Sequence, residues 1–265
     1  MYGDDLLLPW HQALRELVPG MDLFDAHTHT GSNDPDGMTC SASQLIDGLE
    51  LAGARAVTFT MHEPDGYHEA NDRVIDEAEA SGGRLVPFCR VDPADDPLAE
   101  AERALARGAR GIKLHPRAEG FLLGDPRLER MFAMADERGL AVITHAGRGI
   151  PALGRDALDI AARHPGVKLI LAHDGVCDLG WIWRHAADHP NLLFDSAWWS
   201  TLDHLTLFSL VPPGQILFAS DMPYGTTLLA SILSLRTAFQ AGLSADQVRE
   251  IAGGQIQRIL DGQEP

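Results

Sequence analysis

Cysteine is scarce in this chain of 265 residues, which contains three of them. Cys40, Cys89 and Cys177 are odd in number, and no two of them form a Cys-x-x-Cys pair. This pattern argues against a disulfide framework and against a zinc ribbon. A reduced, cytoplasmic setting is therefore expected.

Positive charge is also in short supply, because 21 lysines and arginines face 38 acidic residues and leave a formal charge of −17. A surface of this sign repels phosphate backbones, so no nucleic acid partner is expected, although a small cleft can be locally positive. Long apolar runs are missing near the amino terminus, where Leu6-Leu7-Leu8 is followed by Pro9. Neither a signal peptide nor a membrane span is predicted.

Short β-rich runs recur along the chain, and segments with helical spacing of apolar residues separate them. Eight such runs are found, at 22–27, 55–61, 84–90, 111–115, 140–145, 167–172, 192–195 and 215–220. Eight parallel strands with crossover helices predict an α/β fold, the (β/α)8 TIM barrel, which typically needs ~250 residues. A doubly wound sheet is the competing fold, but no Gly-x-Gly-x-x-Gly follows the first run. We expect a single domain over 1–265, with 1–20 as an N-terminal extension and 21–260 as the barrel.

Polar residues that can bind metals follow several of these runs. His27 and His29 end the first run, and side chains two residues apart on a strand share a face. Further strand ends read Lys113-Leu114-His115-Pro116, Thr144-His145-Ala146-Gly147, Ala172-His173 and Ser220-Asp221-Met222-Pro223. Barrel enzymes place their chemistry at this end of the strands. Imidazole and carboxylate ligands suit zinc and other first-row divalent ions.

With these motifs in this order, the chain resembles the amidohydrolase superfamily of metal-dependent barrels. More narrowly, it resembles the amidohydrolase-related group that includes aminocarboxymuconate semialdehyde decarboxylase. The resemblance implies that four residues hold the metal: His27, His29, His145 and Asp221. It places His173 beside the metal-bound water or substrate, with a metal-ligand role as the alternative. We expect zinc, with manganese or iron as alternatives, and one ion rather than two.

Lys113 has two interpretations. In some branches of the superfamily a lysine at the end of strand four becomes a carbamate that bridges two metals, and in mononuclear branches it is not a ligand. Lys113 could equally bind a substrate carboxylate as a cation. His115 would share its strand face and support the loop before Pro116, or contact the substrate.

Further substrate contacts are expected at other strand ends. Glu63 and Arg90 follow the second and third strands, and Trp198 with Trp199 follows the seventh. Arg117 and Arg148 are candidates for binding a carboxylate. The histidines predicted to lie in helices or at helix ends are expected at the surface: His11, His164, His185, His189 and His204.

Hydrolysis of a small ester, lactone or amide is the first functional expectation. Asp221 would take a proton from the attacking water and pass it to the leaving group, and His173 would stabilise the oxyanion. The alternative is a metal-dependent, non-oxidative decarboxylase or hydratase of an unsaturated or aromatic acid.

Two other classes rank lower. TatD-type deoxyribonucleases carry a glutamate where this chain has Lys113, and the acidic charge argues against DNA. A non-catalytic binding protein would require the strand-end residues to coincide by chance. The expected partner is a small molecule, possibly a carboxylate, and a homo-oligomer is left open.

Overall fold

Nine β-strands alternate with helices in residues 4–263, the part of the chain that the computed structural model describes. The strands are β1 Leu23–Thr30, β2 Ala54–Thr60, β3 Leu85–Pro87, β4 Cys89–Arg90, β5 Gly111–Leu114, β6 Ala141–Thr144, β7 Lys168–Leu171, β8 Leu192–Asp195 and β9 Ile216–Leu217. The α-helices are α1 Asp4–Leu17, α2 Ala42–Ala52, α3 His68–Ala80, α4 Pro97–Arg107, α5 Pro116–Glu119, α6 Glu129–Glu137, α7 Gly154–Arg163, α8 Thr201–Leu210, α9 Thr227–Gln240, α10 Ala245–Arg249 and α11 Gln255–Leu260. Short 3-10 segments lie at 126–128, 173–178, 182–188 and 213–215, and a π-turn lies at 250–254.

The strands form one closed parallel barrel. Parallel ladders join β1 to β3 and β4 to β9 in sequence order. Phe88 separates β3 from β4, and its amide still donates to the Thr58 carbonyl at 2.9 Å, so the third predicted strand is one interrupted strand. The first and last strands meet where the Ala26 amide donates to the Phe218 carbonyl at 2.9 Å. The predicted single-domain TIM barrel is confirmed.

Apolar side chains pack in two layers. One buried cluster fills the barrel interior with alternate strand residues, including Ile143, Leu193 and Leu217. The larger cluster lies between the strands and the helices that surround them. Because side chains alternate across a strand, the interior residues also fix which later residues face the barrel mouth.

Local sequence signals set the ends of several helices. Ser41 and Gln44 form a capping box at the start of α2, and Gly53 ends that helix with a φ of 63°. Asp96 caps α4 directly before Pro97. These side chains satisfy backbone groups that a helix end leaves without partners.

The predicted N-terminal extension forms α1 from residue 4 onward, and residues 1–3 lie outside the described part. His11 is buried there, with Nδ1 at 3.0 Å from Ser231 Oγ. His164 and His204 are also buried, so the prediction that these three histidines lie at the surface was wrong. Each of them finds polar or aromatic partners on elements distant in sequence, which helix periodicity does not reveal. His185 and His189 are half-buried.

Across residues 4–263, no helix is both long enough and apolar enough to cross a bilayer.

Candidate metal centre

Three predicted ligands converge at the carboxyl end of the barrel. His27 Nε2 lies 3.1 Å from His29 Nε2 and 3.2 Å from Asp221 Oδ1. His29 Nε2 lies 3.1 Å from the same Asp221 oxygen. The two histidines are buried, and Asp221 is partly exposed. These three residues therefore present their ligand atoms to one point.

The backbone holds this arrangement through contacts between the first and last strands. The Asp221 amide donates to the His27 carbonyl at 3.0 Å, and Asp221 has a φ of 58°, in the left-handed region. Asp25 accepts hydrogen bonds from the Ser220 amide and the Thr227 hydroxyl. Burial, only partly offset by these hydrogen bonds, raises the pKa of Asp25 to about 7.

Asp195 orients His27 and was given no role in the sequence analysis. Its Oδ2 lies 2.7 Å from His27 Nδ1, and both side chains are buried. A carboxylate at this distance places the imidazole proton on Nδ1, which leaves the Nε2 lone pair free to bind a metal. The available signal was the position of Asp195 directly after the apolar Leu192-Leu193-Phe194, at a strand end.

His173 and His145 form the next part of the site. His173 Nδ1 lies 2.7 Å from the Ala197 carbonyl oxygen and must donate to it, so Nε2 of the neutral ring is an acceptor. His145 Nδ1 lies 3.0 Å from that Nε2 and is then the donor. His145 Nε2 is shielded from solvent and has no hydrogen-bond partner among the described residues. It is not part of the three-residue group, so its role as the fourth ligand stays a prediction.

This donor set fits a divalent cation. Burial is the main reason why the pKa values of His27 and His145 lie well below the ordinary histidine value, so both rings are neutral, the form that binds metals. The buried Nδ1 atom of His29, like His145 Nε2, has no hydrogen-bond partner in the described part of the chain. Three atoms that act mainly as acceptors lie close together here: His27 Nε2, His29 Nε2 and Asp221 Oδ1. A divalent cation can bind all three at once, whereas one shared proton cannot.

Lys113 lies inside the same site. Its Nζ is 3.3 Å from His27 Nε2 and 4.5 Å from the centre of the Phe59 ring, and the side chain is fully buried. Burial lowers the pKa of Lys113 to about 7, against the opposite influence of Asp195 and Asp221. Lys113 is in position either to bind a substrate anion or to join the metal shell, as the two interpretations require.

A cavity of about 620 Å³ opens beside these residues. Its lining includes most of the predicted contacts: His27, His29, Arg90, Lys113, His115, Arg117, His145, Arg148, His173, Trp198, Trp199 and Asp221. The Trp198 and Trp199 rings stack at 4.0 Å with an angle of 27°, and the Arg148 guanidinium lies 5.6 Å from the Trp198 ring. The His115 ring stacks on His145 at 4.2 Å.

Arg90 and Glu63, both predicted substrate contacts, differ in their position relative to the cavity. Arg90 lines the cavity, but its guanidinium already donates to Glu119 Oε1 at 2.6 Å, so its charge is paired. Glu63 does not line this cavity, and its Oε1 accepts from Arg73 at 2.8 Å. Sequence reasoning missed Tyr224, which lines the cavity and donates to Asp34 at 2.6 Å across the mouth.

A family model described as amidohydrolase matches residues 24–261. The chain belongs to the amidohydrolase family. The resemblance noted from the strand-end motifs is thereby confirmed, and it fits the group of two histidines and an aspartate at the barrel mouth. This amidohydrolase is an enzyme-family member whose relatives generally depend on a divalent metal.

Solved structures with the same fold cover most of this amidohydrolase. A structure described as an amidohydrolase II has 21% identity and a TM-score of 0.70, with 91% of this chain and 100% of the other covered. The 5-carboxyvanillate decarboxylase of Sphingomonas paucimobilis has 15% identity and a TM-score of 0.67, with 91% and 99% covered. The 4-oxalomesaconate hydratase of Rhodopseudomonas palustris has 16% identity and a TM-score of 0.63, with 91% and 96% covered. Among functionally curated proteins, none matches the chain significantly.

Proposed function

We propose that this amidohydrolase is a metal-dependent lyase that decarboxylates a small, planar carboxylic acid without an oxidant. The observation that carries the proposal is the composition of the cavity wall. Arg117 and Arg148 are exposed cations, and the stacked rings of Trp198 and Trp199 lie beside them, on the cavity that contains the metal ligands. Cations recognise carboxylates, and indole faces bind planar rings.

The names of structural neighbours support the same reaction class. A 5-carboxyvanillate decarboxylase and a 2,6-dihydroxybenzoate decarboxylase share the fold, and both names describe loss of a carboxyl group from an aromatic acid. The 4-oxalomesaconate hydratase in the same set is named for a small carboxylate. A carboxylated aromatic or unsaturated acid is therefore the proposed substrate class.

Each side chain has a defined task in this reaction. His27, His29 and Asp221, with His145 as the fourth ligand, would hold a divalent cation, which supplies a Lewis acid for the substrate oxygens. Arg117 and Arg148 bind the substrate's anionic groups, and Trp198 holds its plane. The bond between the ring carbon and the carboxyl carbon breaks, carbon dioxide leaves, and the electron pair stays on the ring carbon. That carbon then takes one proton from solvent, and His173 Nε2, which is an acceptor in the free site, would bind that proton and deliver it to the carbon.

Hydrolysis, the first expectation from the sequence, requires Asp221 to accept a proton from water. Burial alone would raise the pKa of Asp221, but His27, His173 and His29 outweigh it and hold that pKa at about 2. Because the cavity wall suits a planar acid and named structural neighbours are decarboxylases, we place ester, lactone or amide hydrolysis second.

The test compares release of carbon dioxide with water-dependent cleavage. Zinc-loaded protein is incubated with carboxyl-¹³C-labelled 2,6-dihydroxybenzoate, 5-carboxyvanillate and related acids in D₂O, and in parallel with a panel of esters, lactones and amides. We expect labelled carbon dioxide and one deuterium at the ring carbon, and loss of both signals in His27→Ala. Cleavage of an ester, lactone or amide without decarboxylation of any acid would overturn the proposal in favour of hydrolysis.

A further inference from the structure

A pair of buried titratable side chains, separate from the predicted metal ligands, lies directly behind the catalytic end of the barrel. Asp174 and His204 are both fully buried, and His204 Nδ1 lies 2.8 Å from Asp174 Oδ2. His204 belongs to α8, whereas Asp174 follows His173 at the end of β7. Neither residue lines the cavity.

Both ring nitrogens of His204 face hydrogen-bond acceptors. While Nδ1 faces the Asp174 carboxylate, Nε2 lies 2.9 Å from the Trp198 carbonyl oxygen. A ring with two acceptors is fully satisfied only when both nitrogens carry protons. Burial alone lowers the pKa of His204, but Asp174, the Trp198 carbonyl and nearby Asp203 outweigh burial and raise it. Burial also raises the pKa of Asp174, against the opposite influence of His204. The imidazole and the carboxyl group thus form a close buried pair, with His204 Nδ1 at 2.8 Å from Asp174 Oδ2.

One end of this pair holds a strained turn. His173 and Asp174 have φ values of 57° and 58°, a left-handed conformation that residues other than glycine adopt only where surrounding contacts enforce it. The Asp174 carbonyl accepts a hydrogen bond from Trp183 Nε1 at 2.6 Å, and the His173 amide donates to Asp195 at 2.9 Å. The Asp174 carboxyl group faces His204 through Oδ2, and its Oδ1 is buried with no hydrogen-bond partner among the described residues.

The other end holds the aromatic wall. The His204 ring fixes the Trp198 carbonyl, and the Trp198 indole donates to Asp203 Oδ2 at 2.8 Å. Asp203 and His204 are neighbours on α8, so one turn of that helix holds Trp198 at its backbone and at its ring. Trp198 stacks in turn on Trp199.

We propose that Asp174 and His204 are positioning residues that hold the proton-transfer group His173 in register with the substrate wall formed by Trp198 and Trp199. The inference rests on the proposed function, which assigns proton transfer to His173 and substrate binding to Trp198 and Trp199. The two loops belong to different strand ends, after β7 and after β8, and the pair joins them through groups that water does not reach. Without it, the turn at His173 and the loop before Trp198 would stay joined only by the bond from His173 Nδ1 to the Ala197 carbonyl and by the two amides that donate to Asp195.

The test follows both ends of the pair by NMR in zinc-loaded protein. The chain contains five tryptophans, so incorporation of 5-fluorotryptophan gives five ¹⁹F signals, which Trp198→Phe and Trp199→Phe assign. Long-range ¹H–¹⁵N spectra report which nitrogen of His173 carries the proton. In Asp174→Asn and in His204→Gln we expect shifted or broadened signals of Trp198, together with a loss of the single Nδ1–H form of His173.

The matched control is His164→Gln, which changes another buried histidine, one that does not line the cavity. It should leave the signals of His173 and Trp198 unchanged. The double variant Asp174→Asn with His204→Gln removes both titratable groups, so it should unfold at a higher denaturant concentration than either single variant, because neither group stays buried without its partner. If either single variant folds with unchanged Trp198 and His173 signals, or if only one of the two sites responds, the inference is overturned.

Activity provides a separate measurement. If the protein decarboxylates an acid of the panel, Asp174→Asn should lose about tenfold to a hundredfold in kcat, because small misplacements of reacting groups cost rates of this order. An unchanged kcat would contradict the inference. If no acid is decarboxylated, the proposed function fails, whereas the NMR comparison still decides the role of the pair.

Discussion

The interior of the barrel and its mouth are built from the same faces of the same strands, yet they obey different rules. Along β8, Leu193 packs in the interior and Asp195, two residues later, orients His27 at the mouth. Along β6, Ile143 and His145 are related in the same way. Two positions along a strand therefore separate two kinds of side chain. The interior one has only to fill the available volume, whereas the one at the mouth needs a specific polar partner.

The difference shows in the backbone and in the polar atoms. His173 and Asp221 at the mouth have left-handed φ values. His29 Nδ1 and His145 Nε2 are buried and form no hydrogen bond within residues 4–263. The interior cluster consists of apolar side chains, which have no such requirement. We infer that the interior supplies stability, and that the mouth gives up some stability to keep ligand atoms ready.

The largest expected effect tests the mouth. His27→Ala should abolish zinc binding and lower any activity by about a thousandfold or more, because a Lewis acid contributes several kcal/mol to catalysis. Metal content measured by mass spectrometry, with circular dichroism for the fold, checks this. His185→Ala, which removes a half-buried histidine that does not line the cavity, should keep its zinc. If His27→Ala retained its zinc, His27 would not be a metal ligand, and the proposed role of the barrel mouth would be wrong.

The next effect tests the interior. Leu193→Ala removes a fully buried side chain and should lower the free energy of unfolding by about 2–5 kcal/mol while zinc remains bound. Leu202 is 72% exposed, so Leu202→Ala should change stability by no more than about 0.5 kcal/mol. Urea denaturation measures both. A Leu193→Ala variant as stable as the wild type would show that the interior is not close-packed.

A smaller effect is expected from Asp195→Asn, which changes the position of one proton at the mouth. In Asp195→Asn, the side-chain oxygen can still accept from the His173 and Ala197 amides, which now contact Oδ1, so the new NH₂ group faces His27 Nδ1. The imidazole proton should then move to Nε2 and occupy the atom that binds the metal. We expect zinc affinity to fall about 10- to 100-fold, measured by competition with a chelator. Unchanged affinity, with the Nδ1–H form retained in ¹⁵N spectra, would refute this role for Asp195.

The smallest effect lies outside both regions, in the charged surface between α3 and α4. Arg103 pairs with Asp72 at 2.6 Å and with Glu100 at 2.8 Å. Burial would raise the pKa values of these carboxyl groups, but their bonds to Arg103 outweigh it and lower both. Arg103→Met should therefore cost up to about 1 kcal/mol near neutrality.

The pH dependence of that cost has a definite sign. Because the folded-state pKa values are lowered, the stabilisation is present above the ordinary carboxyl pKa and is lost as the pH falls through the lowered values. The difference in stability between wild type and Arg103→Met should thus shrink in acid. Arg138, with a single longer contact of 3.4 Å to Glu102, provides the weaker control Arg138→Met. A difference that grew as the pH fell would contradict this assignment.

Part of the site could be predicted because short sequence patterns indicate it. His27 and His29 follow an apolar run at a spacing of two, and Asp221 follows the last run, so the barrel rule alone places them at one mouth. The partners of these residues could not be predicted. His27 and Asp195 are 168 positions apart, and no pattern within either strand indicates which of the strand-end residues will face each other.

The histidines outside the metal site show the same limit. His204 was expected at the surface because it falls in a predicted helix, yet it is buried between Asp174 and the Trp198 carbonyl. Arg90 stands at a strand end, as a substrate contact should, yet Glu119 neutralises its charge. In both cases a residue distant in the chain decided the role.

The barrel, the order of its strands and the residue types at its mouth follow from the sequence, because hydrophobic periodicity and strand-end position depend only on near neighbours. The folded structure was needed to learn which partner each imidazole nitrogen faces, which charges are paired, and which aromatic rings line the cavity. Those properties depend on contacts made when the barrel closes and brings the ends of distant strands within hydrogen-bonding distance.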